Sequence, residues 1–344
     1  MKNSLIVMAA VSLSGVAMAQ SSVTMYGIAD GGYGKNEYNG QMLGGSTKAH
    51  FQSGAGVVTN AVSRIGVRGV EDLGGGMKVG FNFETGLQLS NGANLSSGQG
   101  GGFWGRNANV WVGGPWGTLK LGRSVNPSVY GIINWELTTA ANYSVVAVTY
   151  NWGGSGPRNN SQISYATPNF NGFSAEVAYV TKYDNVSVPG ALVPGDPPVL
   201  PGKAKWDLNL KYTNGPFSAA LTANKMQSYK TNYSVGARYK FGTSFIVAAS
   251  YSSATHTEMQ PNPSGMDNTN AVRRGFSLGG TALFGPFSVT LDLTRDTKNE
   301  WYHKKYTNGV LELKYALSKR TFLYGVYLRA DGTDNVGIGM RHNF

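Results

Sequence analysis

Hydrophobic and polar residues alternate with a period of two along most of the chain after Gln20. One example has apolar side chains at Trp206, Leu208, Leu210 and Tyr212, with Asp207, Asn209 and Lys211 between them. The same spacing recurs at Phe287, Val289 and Leu291. Alternation of this kind indicates β-strands that present one apolar and one polar face. We therefore expect an all-β protein.

The alternating runs and the segments between them indicate how the strands are arranged. Sixteen runs are predicted as strands, at 22–34, 62–70, 76–86, 106–113, 117–123, 161–167, 172–181, 205–213, 216–226, 230–240, 244–254, 273–283, 286–296, 305–316, 320–330 and 334–344. Short turns such as 214–216 and 242–244 alternate with long polar connections such as 35–61 and 124–160. Outer-membrane barrels place short turns at one end and long loops at the other. The pattern predicts a transmembrane 16-stranded antiparallel β-barrel.

Aromatic residues flank the short turns of successive predicted hairpins. They are Tyr212 and Phe217, then Tyr239, Phe241 and Phe245, then Phe284 and Phe287, then Tyr315 and Phe322. Rings repeated at one end of a barrel form a belt at the membrane–water interface. We expect such a belt at the short-turn end.

Charged residues are concentrated on the polar positions of the predicted strands. The bases there are Arg64, Arg68, Lys78, Lys120, Arg158, Lys211, Arg238, Lys240, Lys314, Arg329 and Arg341, and the acids are Glu84, Glu176, Asp207, Asp292 and Glu312. A basic side chain on the lipid face costs about 2–4 kcal/mol at the bilayer midplane. The charged face must therefore meet water, and sixteen strands enclose enough space for an aqueous channel.

Composition narrows the possible chemistry. The chain has 344 residues, a net charge of +11 and no Cys, so disulfides, thiol nucleophiles and Cys-ligated metals are excluded. Its four His are scattered, and we expect neither a cofactor nor a metal site. The bases are distributed around a lumen instead of one patch, which argues against a nucleic-acid partner.

The first residues are typical of an export signal. Lys2 precedes the apolar stretch 5–11, and small residues continue to Ala17-Met18-Ala19. This order matches a secretory signal peptide. We expect residues 1–19 to be removed and residues 20–344 to form one barrel domain.

Several motifs along the mature chain resemble the general diffusion porins of Gram-negative outer membranes, in the beta-proteobacterial (neisserial-like) family. They are SSVTMYGIAD at 21–30, SRIGVRG at 63–69 with EDLG at 71–74, GTLKLGR at 117–123, RNNS at 158–161 with YATP at 165–168, and GMRHNF at 339–344. The resemblance implies a homotrimer surrounded by outer-membrane lipids and lipopolysaccharide. It also implies passage of small hydrophilic solutes and ions, and a C-terminal Phe344 that is read by the barrel-assembly machinery.

The same resemblance implies where such a pore is narrowest. A long loop, here 124–160, should fold into the lumen opposite a cluster of arginines. By motif position the candidates are Arg64, Arg106 and Arg158, with Arg68, Lys78 and Arg123 as neighbours. Glu136, the only acid of the loop, is a further candidate for a selectivity charge at the constriction. Arg106 and Arg123 fall on apolar positions, so they face the lumen only if a bulge redirects them.

The excess of bases over acids on the polar face predicts a preference for anions, because rings of Arg and Lys favour them. Three alternatives remain open from the residues. A substrate-specific channel on the same fold would show saturable block by one solute. An outer-membrane enzyme would need a catalytic constellation at the rim, which we do not find. A secreted soluble β-protein would not require detergent.

Overall fold

The computed structural model describes residues 21–37, 46–54, 56–95, 102–152, 156–182, 202–255 and 270–344. The strands in these ranges are β1 (Ser22–Asn36), β2 (Ser46–Gln52), β3 (Arg64–Gly74), β4 (Met77–Leu87), β5 (Asn94–Leu95), β6 (Asn107–Gly114), β7 (Gly117–Val125), β8 (Arg158–Ala166), β9 (Phe173–Val180), β10 (Lys205–Asn214), β11 (Phe217–Met226), β12 (Asn232–Phe241), β13 (Phe245–Thr255), β14 (Val272–Phe284), β15 (Phe287–Asn299), β16 (Thr307–Ala316), β17 (Thr321–Ala330) and β18 (Thr333–Asn343). Two helices are α1 (Pro127–Ile133) and α2 (Val145–Tyr150). The expected signal peptide, 1–19, lies outside the described residues.

Sixteen of the strands in the described ranges close into one antiparallel ring, which confirms the predicted barrel. Each predicted strand overlaps an observed one, and its ends agree within four residues. The two additional strands, β2 and β5, are short and lie within connections that the sequence pattern assigned to loops. Of these, β2 extends the β3 edge of β1, because the same part of β1 pairs with β18 on its other edge. No helix among the described residues is both long and apolar enough to cross a membrane.

The first and last strands close the ring. The first half of β1 pairs with β3, and the second half pairs with β18. The last residue completes the seam, since the backbone of Phe344 exchanges hydrogen bonds of 3.0 and 3.1 Å with Gly27. The Phe344 ring covers Gly27, where a Cβ atom would overlap it. The first and last described strands therefore contribute to one continuous hydrogen-bonded wall.

The outer face of the barrel is apolar and exposed. Leu278 and Ile338, for example, are 64% and 68% accessible, although both are large aliphatic residues in the middle of a sheet. Residues at the alternate positions, such as Asn209, Thr222 and Thr290, point inward and are buried. Exposed aliphatic rows on a closed barrel are what a lipid environment requires. The predicted separation of the two faces is thus present.

Aromatic rings line the short-turn end in contacting groups. They form three runs, Phe173–Tyr212–Phe217, Tyr239–Phe241–Phe245 and Phe284–Phe287–Tyr315, with centroids 4.4–6.4 Å apart. One hairpin shows why these turns are tight, because Gly285 adopts φ +57° between Phe284 and Phe287. The expectation for Phe322 is wrong. Its ring faces the lumen, between Lys314 and Arg341.

The polarity of β17 also differs from the expectation. Tyr324, Val326 and Leu328 point inward and are buried, whereas Arg329 points outward beside Tyr327. Arg329 pairs with Asp334 at 2.8 Å close to the long-loop end. The assignment of Arg329 to the inner face is therefore wrong. The cause is the chain segment between β7 and β8, which lies inside the barrel and packs on the inner face of β17. This face therefore meets protein instead of water.

Candidate functional site

The connection between β7 and β8, described at 126–152 and 156–157 and here called loop 3, folds into the lumen. Its first part contains α1, which begins with Pro127 and packs against β10 and β11. The carboxylate of Asp207, which points inward from β10, accepts hydrogen bonds from the backbone N and the hydroxyl of Ser128 at 2.7 and 2.9 Å. Asn209 donates to the carbonyl of Pro127 at 2.6 Å. Inward polar groups of the wall therefore fix the start of loop 3.

The second part of loop 3 is fixed to strands further around the barrel, β15 and β16. The buried hydroxyl of Tyr143 donates to Glu312 of β16 at 2.6 Å and accepts from Asn60 at 2.7 Å. Further along, the hydroxyls of Thr149 and Thr294 lie 3.0 Å apart. The loop thus follows the wall from β10 to β17 and leaves the water-filled passage on the side of β3 to β8.

An apolar cluster holds loop 3 in place between these polar contacts. Its members are buried loop residues and inward residues of the wall: Ile132, Trp135, Tyr143, Val145, Val146 and Tyr150 of the loop, with Ala220, Ala254, Val310, Tyr324, Val326 and Leu328 among their partners. Each fully buried large apolar side chain contributes about 1.5–3 kcal/mol. Loop 3 is therefore packed against the barrel wall and is not an unpacked loop.

Arginines gather on the wall that faces loop 3 across the passage. The Nε atom of Arg106 lies 2.6 Å from Glu84, and that of Arg64 lies 3.7 Å from the same carboxylate. Glu84 also accepts a hydrogen bond of 3.0 Å from the Tyr26 hydroxyl. One acid, mostly covered, is thus shared by two guanidinium groups.

Arg158 and Arg123 join this group through the backbone just before β6. The Nε atom of Arg158 donates to the carbonyl of Arg106 at 2.8 Å, and that of Arg123 donates to the carbonyl of Gly105 at 2.7 Å. Arg106 lies one residue before β6, so the strand alternation does not fix its direction.

A bulge explains the direction of Arg123. The pairing of β7 with β8 shifts register between Gly122 and Ser124, and Gly122 has φ +118°. Such an irregularity redirects a side chain that strict alternation would place on the lipid face. Arg106 and Arg123, which the alternation placed on apolar positions, therefore lie with Arg158.

The two other basic candidates lie at different distances from this group. The guanidinium of Arg68 lies over the Tyr26 ring, 5.3 Å from its centroid. Along β3, Arg68 is the next inward-facing residue after Gly66. Lys78 points inward near the β3–β4 turn, six residues along β4 from Glu84, which is about 20 Å at the rise of a strand. We call Arg64, Arg68, Arg106, Arg123 and Arg158 the arginine wall, and Lys78 lies outside it.

Glu136 does not present a charge to the passage. It is 1% exposed, and its carboxylate accepts from the backbone N of Thr138 at 2.9 Å and of Ala140 at 2.8 Å. It is also the only charged residue of loop 3. The loop turns Tyr130 toward Lys120, whose Nζ lies 5.9 Å from the ring centroid. Burial raises the pKa of the Tyr130 hydroxyl to about 12, so this side of the passage is uncharged near neutrality.

The structure adds Arg341 to the groups that the motifs indicated. Its Nη1 donates to Asn60 at 2.7 Å, and it lies across β1 from Arg64, because β1 pairs with Arg341 at Asp30 and with Arg64 at Ile28. Its inward position in the last strand was visible in the sequence alternation. Its position across β1 from Arg64 was not, because that arrangement depends on closure of the ring.

Comparison with known proteins gives the family. The family model described as Gram-negative porin matches residues 4–335. The chain belongs to the Gram-negative porin family. Outer membrane porin protein 32 of Delftia acidovorans is 30% identical, over 98% of this chain and 92% of that protein. An outer membrane porin protein of Bordetella pertussis is 25% identical, over 96% of each chain.

Solved structures agree with this assignment. The chain is similar to an anion-selective porin from Comamonas acidovorans, with a TM-score of 0.69, 26% identity, and coverage of 94% of this chain and all of that one. A variant of the Rh. blastica porin has the same fold, with a TM-score of 0.64 and 14% identity. The match covers 94% of this chain and all of that one.

These findings settle the general activity of this porin. It lies in the outer membrane, is not an enzyme, and forms a water-filled pore through which small hydrophilic solutes and ions diffuse passively.

Proposed function

We propose that this porin conducts anions in preference to cations, and that loop 3 and the arginine wall set the preference at the narrowest part of the pore. The observation that carries the proposal is the contrast between the two sides. Five arginines face the passage, and Glu84 pairs with only two of them, Arg64 and Arg106, while loop 3 offers no free charge. The anion-selective porin from Comamonas acidovorans, similar in fold and 26% identical, supports the same preference.

The size of the effect follows from electrostatics. A unit charge about 6 Å from an ion in water changes its energy by roughly 0.7 kcal/mol, which is about a threefold change in occupancy. Anions and cations shift in opposite directions, so one arginine changes the permeability ratio by at most about tenfold before screening. Several uncompensated arginines therefore suffice for a clear preference.

The assembly of the channel belongs to the same proposal. We propose that the mature chain forms a homotrimer in contact with lipopolysaccharide, after removal of residues 1–19. The barrel-assembly machinery would recognise Phe344, whose place at the seam of the ring is consistent with a role late in closure. These statements rest on the family and on the sequence motifs.

A charge-removal series tests the selectivity. We expect Arg64→Gln and Arg158→Gln each to lower the chloride-to-potassium permeability ratio about two- to tenfold in planar bilayers, by the electrostatic argument above. Lys78→Gln is the matched control, since it removes the same charge from the lumen about 20 Å away, beyond the Debye length. Unchanged selectivity in the double variant Arg64→Gln/Arg158→Gln would contradict the proposal. So would a change of the permeability ratio in Lys78→Gln as large as that in Arg64→Gln.

A further inference from the structure

A cavity lies on the wall beneath the tip of loop 3. It has a volume of about 420 Å³ and is open to the lumen near the short-turn end. It is lined by Leu137 and Thr139 of the loop and by inward side chains of strands β12 to β18. Binding pockets for small molecules begin at about 300 Å³. The cavity is therefore large enough for a small organic solute.

The charges in this cavity are mainly positive. Arg238, Lys314 and Arg341 line it, with Glu312 as its one acid. Glu312 already accepts a hydrogen bond from Tyr143 at 2.6 Å and pairs with Lys314 at 2.9 Å. In the described part of the chain, Arg238 has no ion-pair partner. A solute that enters meets an excess of positive charge.

Apolar and polar side chains alternate around this cavity. Ile246, Leu283 and Phe322 all sit on the inward face of their strands, beside inward polar residues such as Thr281, Ser288 and Thr290. The Phe322 ring lies between two cations, with Lys314 Nζ 5.4 Å and Arg341 Cζ 5.7 Å from its centroid. The cavity thus combines an apolar surface with cations held beside an aromatic face.

Arg341 connects the cavity to the selectivity site. It lies across β1 from Arg64 of the arginine wall, because β1 pairs with Arg341 at Asp30 and with Arg64 at Ile28, and it also lines the cavity.

From these observations we propose that the cavity is a binding site for small organic anions with an apolar body, of which an aryl carboxylate is the simplest kind. The carboxylate binds Lys314 and Arg341, and the ring lies against Phe322 and Leu137. This inference rests on the proposed anion preference and extends it from charge to shape. The alternative role for the apolar residues is only to pack the tip of loop 3, which predicts no discrimination between carboxylates.

The test uses the full-length porin in planar bilayers at about 0.1 M KCl, where surface charge is only partly screened. Potassium phenylacetate or potassium acetate is added on the short-turn side, and block of the chloride current is measured. We expect saturable block, with a half-blocking concentration about tenfold lower for phenylacetate, because only its ring buries apolar surface.

Variants locate the site. Phe322→Ala and Arg341→Gln should each weaken phenylacetate block severalfold, and Phe322→Leu, which keeps most of the packing volume, should weaken it as well because the aromatic face is lost. Lys240→Gln is the matched control, since Lys240 is an inward base two residues from Arg238 that does not line the cavity.

The outcomes separate this inference from the proposed function. Equal block by phenylacetate and acetate in a channel that remains anion-selective overturns the binding site alone. A cation-selective reversal potential in the same membranes overturns the proposed preference. Phenylacetate block that is unchanged in Phe322→Leu and Arg341→Gln places the site elsewhere and also overturns the inference.

Discussion

Loss of a single hydroxyl should loosen loop 3 without removing any apolar packing. In Tyr143→Phe the ring remains, but Glu312 and Asn60 lose the group that bridges them at 2.6 and 2.7 Å. The hydrogen bond to a charged group contributes about 1.5–3 kcal/mol and the neutral one about 1 kcal/mol. The total of about 2.5–4 kcal/mol corresponds to roughly a 10²–10³-fold larger population of detached loop, at 1.4 kcal/mol per tenfold.

Tyr150 provides a control within the same loop. Both rings are buried, but the Tyr150 hydroxyl has no hydrogen-bond partner among the described residues. Tyr150→Phe should therefore leave the loop unchanged or slightly more stable.

Amide hydrogen exchange across 145–150 measures the opening directly, since protection reports the free energy of local unfolding. We expect much faster exchange in Tyr143→Phe, together with noisier single-channel currents, and near-native exchange in Tyr150→Phe. Equal protection in the two variants would refute the view that these hydrogen bonds hold the loop.

Three other outcomes are expected. In Arg273→Met, Asp296 and Asp331 lose a buried partner that lies 3.0 Å from Asp296, at a cost of about 3–5 kcal/mol; external protease should then cleave the long loops faster, with chloride selectivity unchanged. Selectivity should be constant between about pH 6 and pH 9, because arginine stays charged and Tyr130, with a pKa of about 12, stays neutral; a titration midpoint in this range would contradict the role of arginine. Gly27→Val should displace the Phe344 ring from the seam, and gels of unheated samples should show a smaller folded fraction than for Gly325→Val, whose added Cβ makes only an ordinary contact with Ile338, at 3.9 Å.

The strands were predictable because lipid and water impose a simple rule on alternate residues. That rule holds wherever one face meets lipid and the other meets water, and it placed Asp207, Thr290 and Glu312 inward. It failed at β17, where loop 3 replaces water and the inward face becomes apolar. Arg329 and Phe322 were consequently assigned to the wrong faces.

The site was less predictable because it depends on irregular backbone and distant contacts. Motif positions indicated Arg64, Arg106 and Arg158, but the bulge opposite Arg123 has no clear signal in a single sequence. Tyr143 and Glu312 are 169 residues apart, and nothing local links them. Glu136 shows the opposite error, since an isolated acid in a pore loop suggests a selectivity charge, while its hydrogen bonds make it a support for the loop backbone.

The sign of the reversal potential of the wild-type channel in a tenfold KCl gradient tests the central claim most directly. The account predicts that the dilute side becomes negative, toward the limit of about 59 mV for a perfectly anion-selective pore. A positive dilute side would mean that cations pass more easily, and the arginine wall could not be the element that governs permeation.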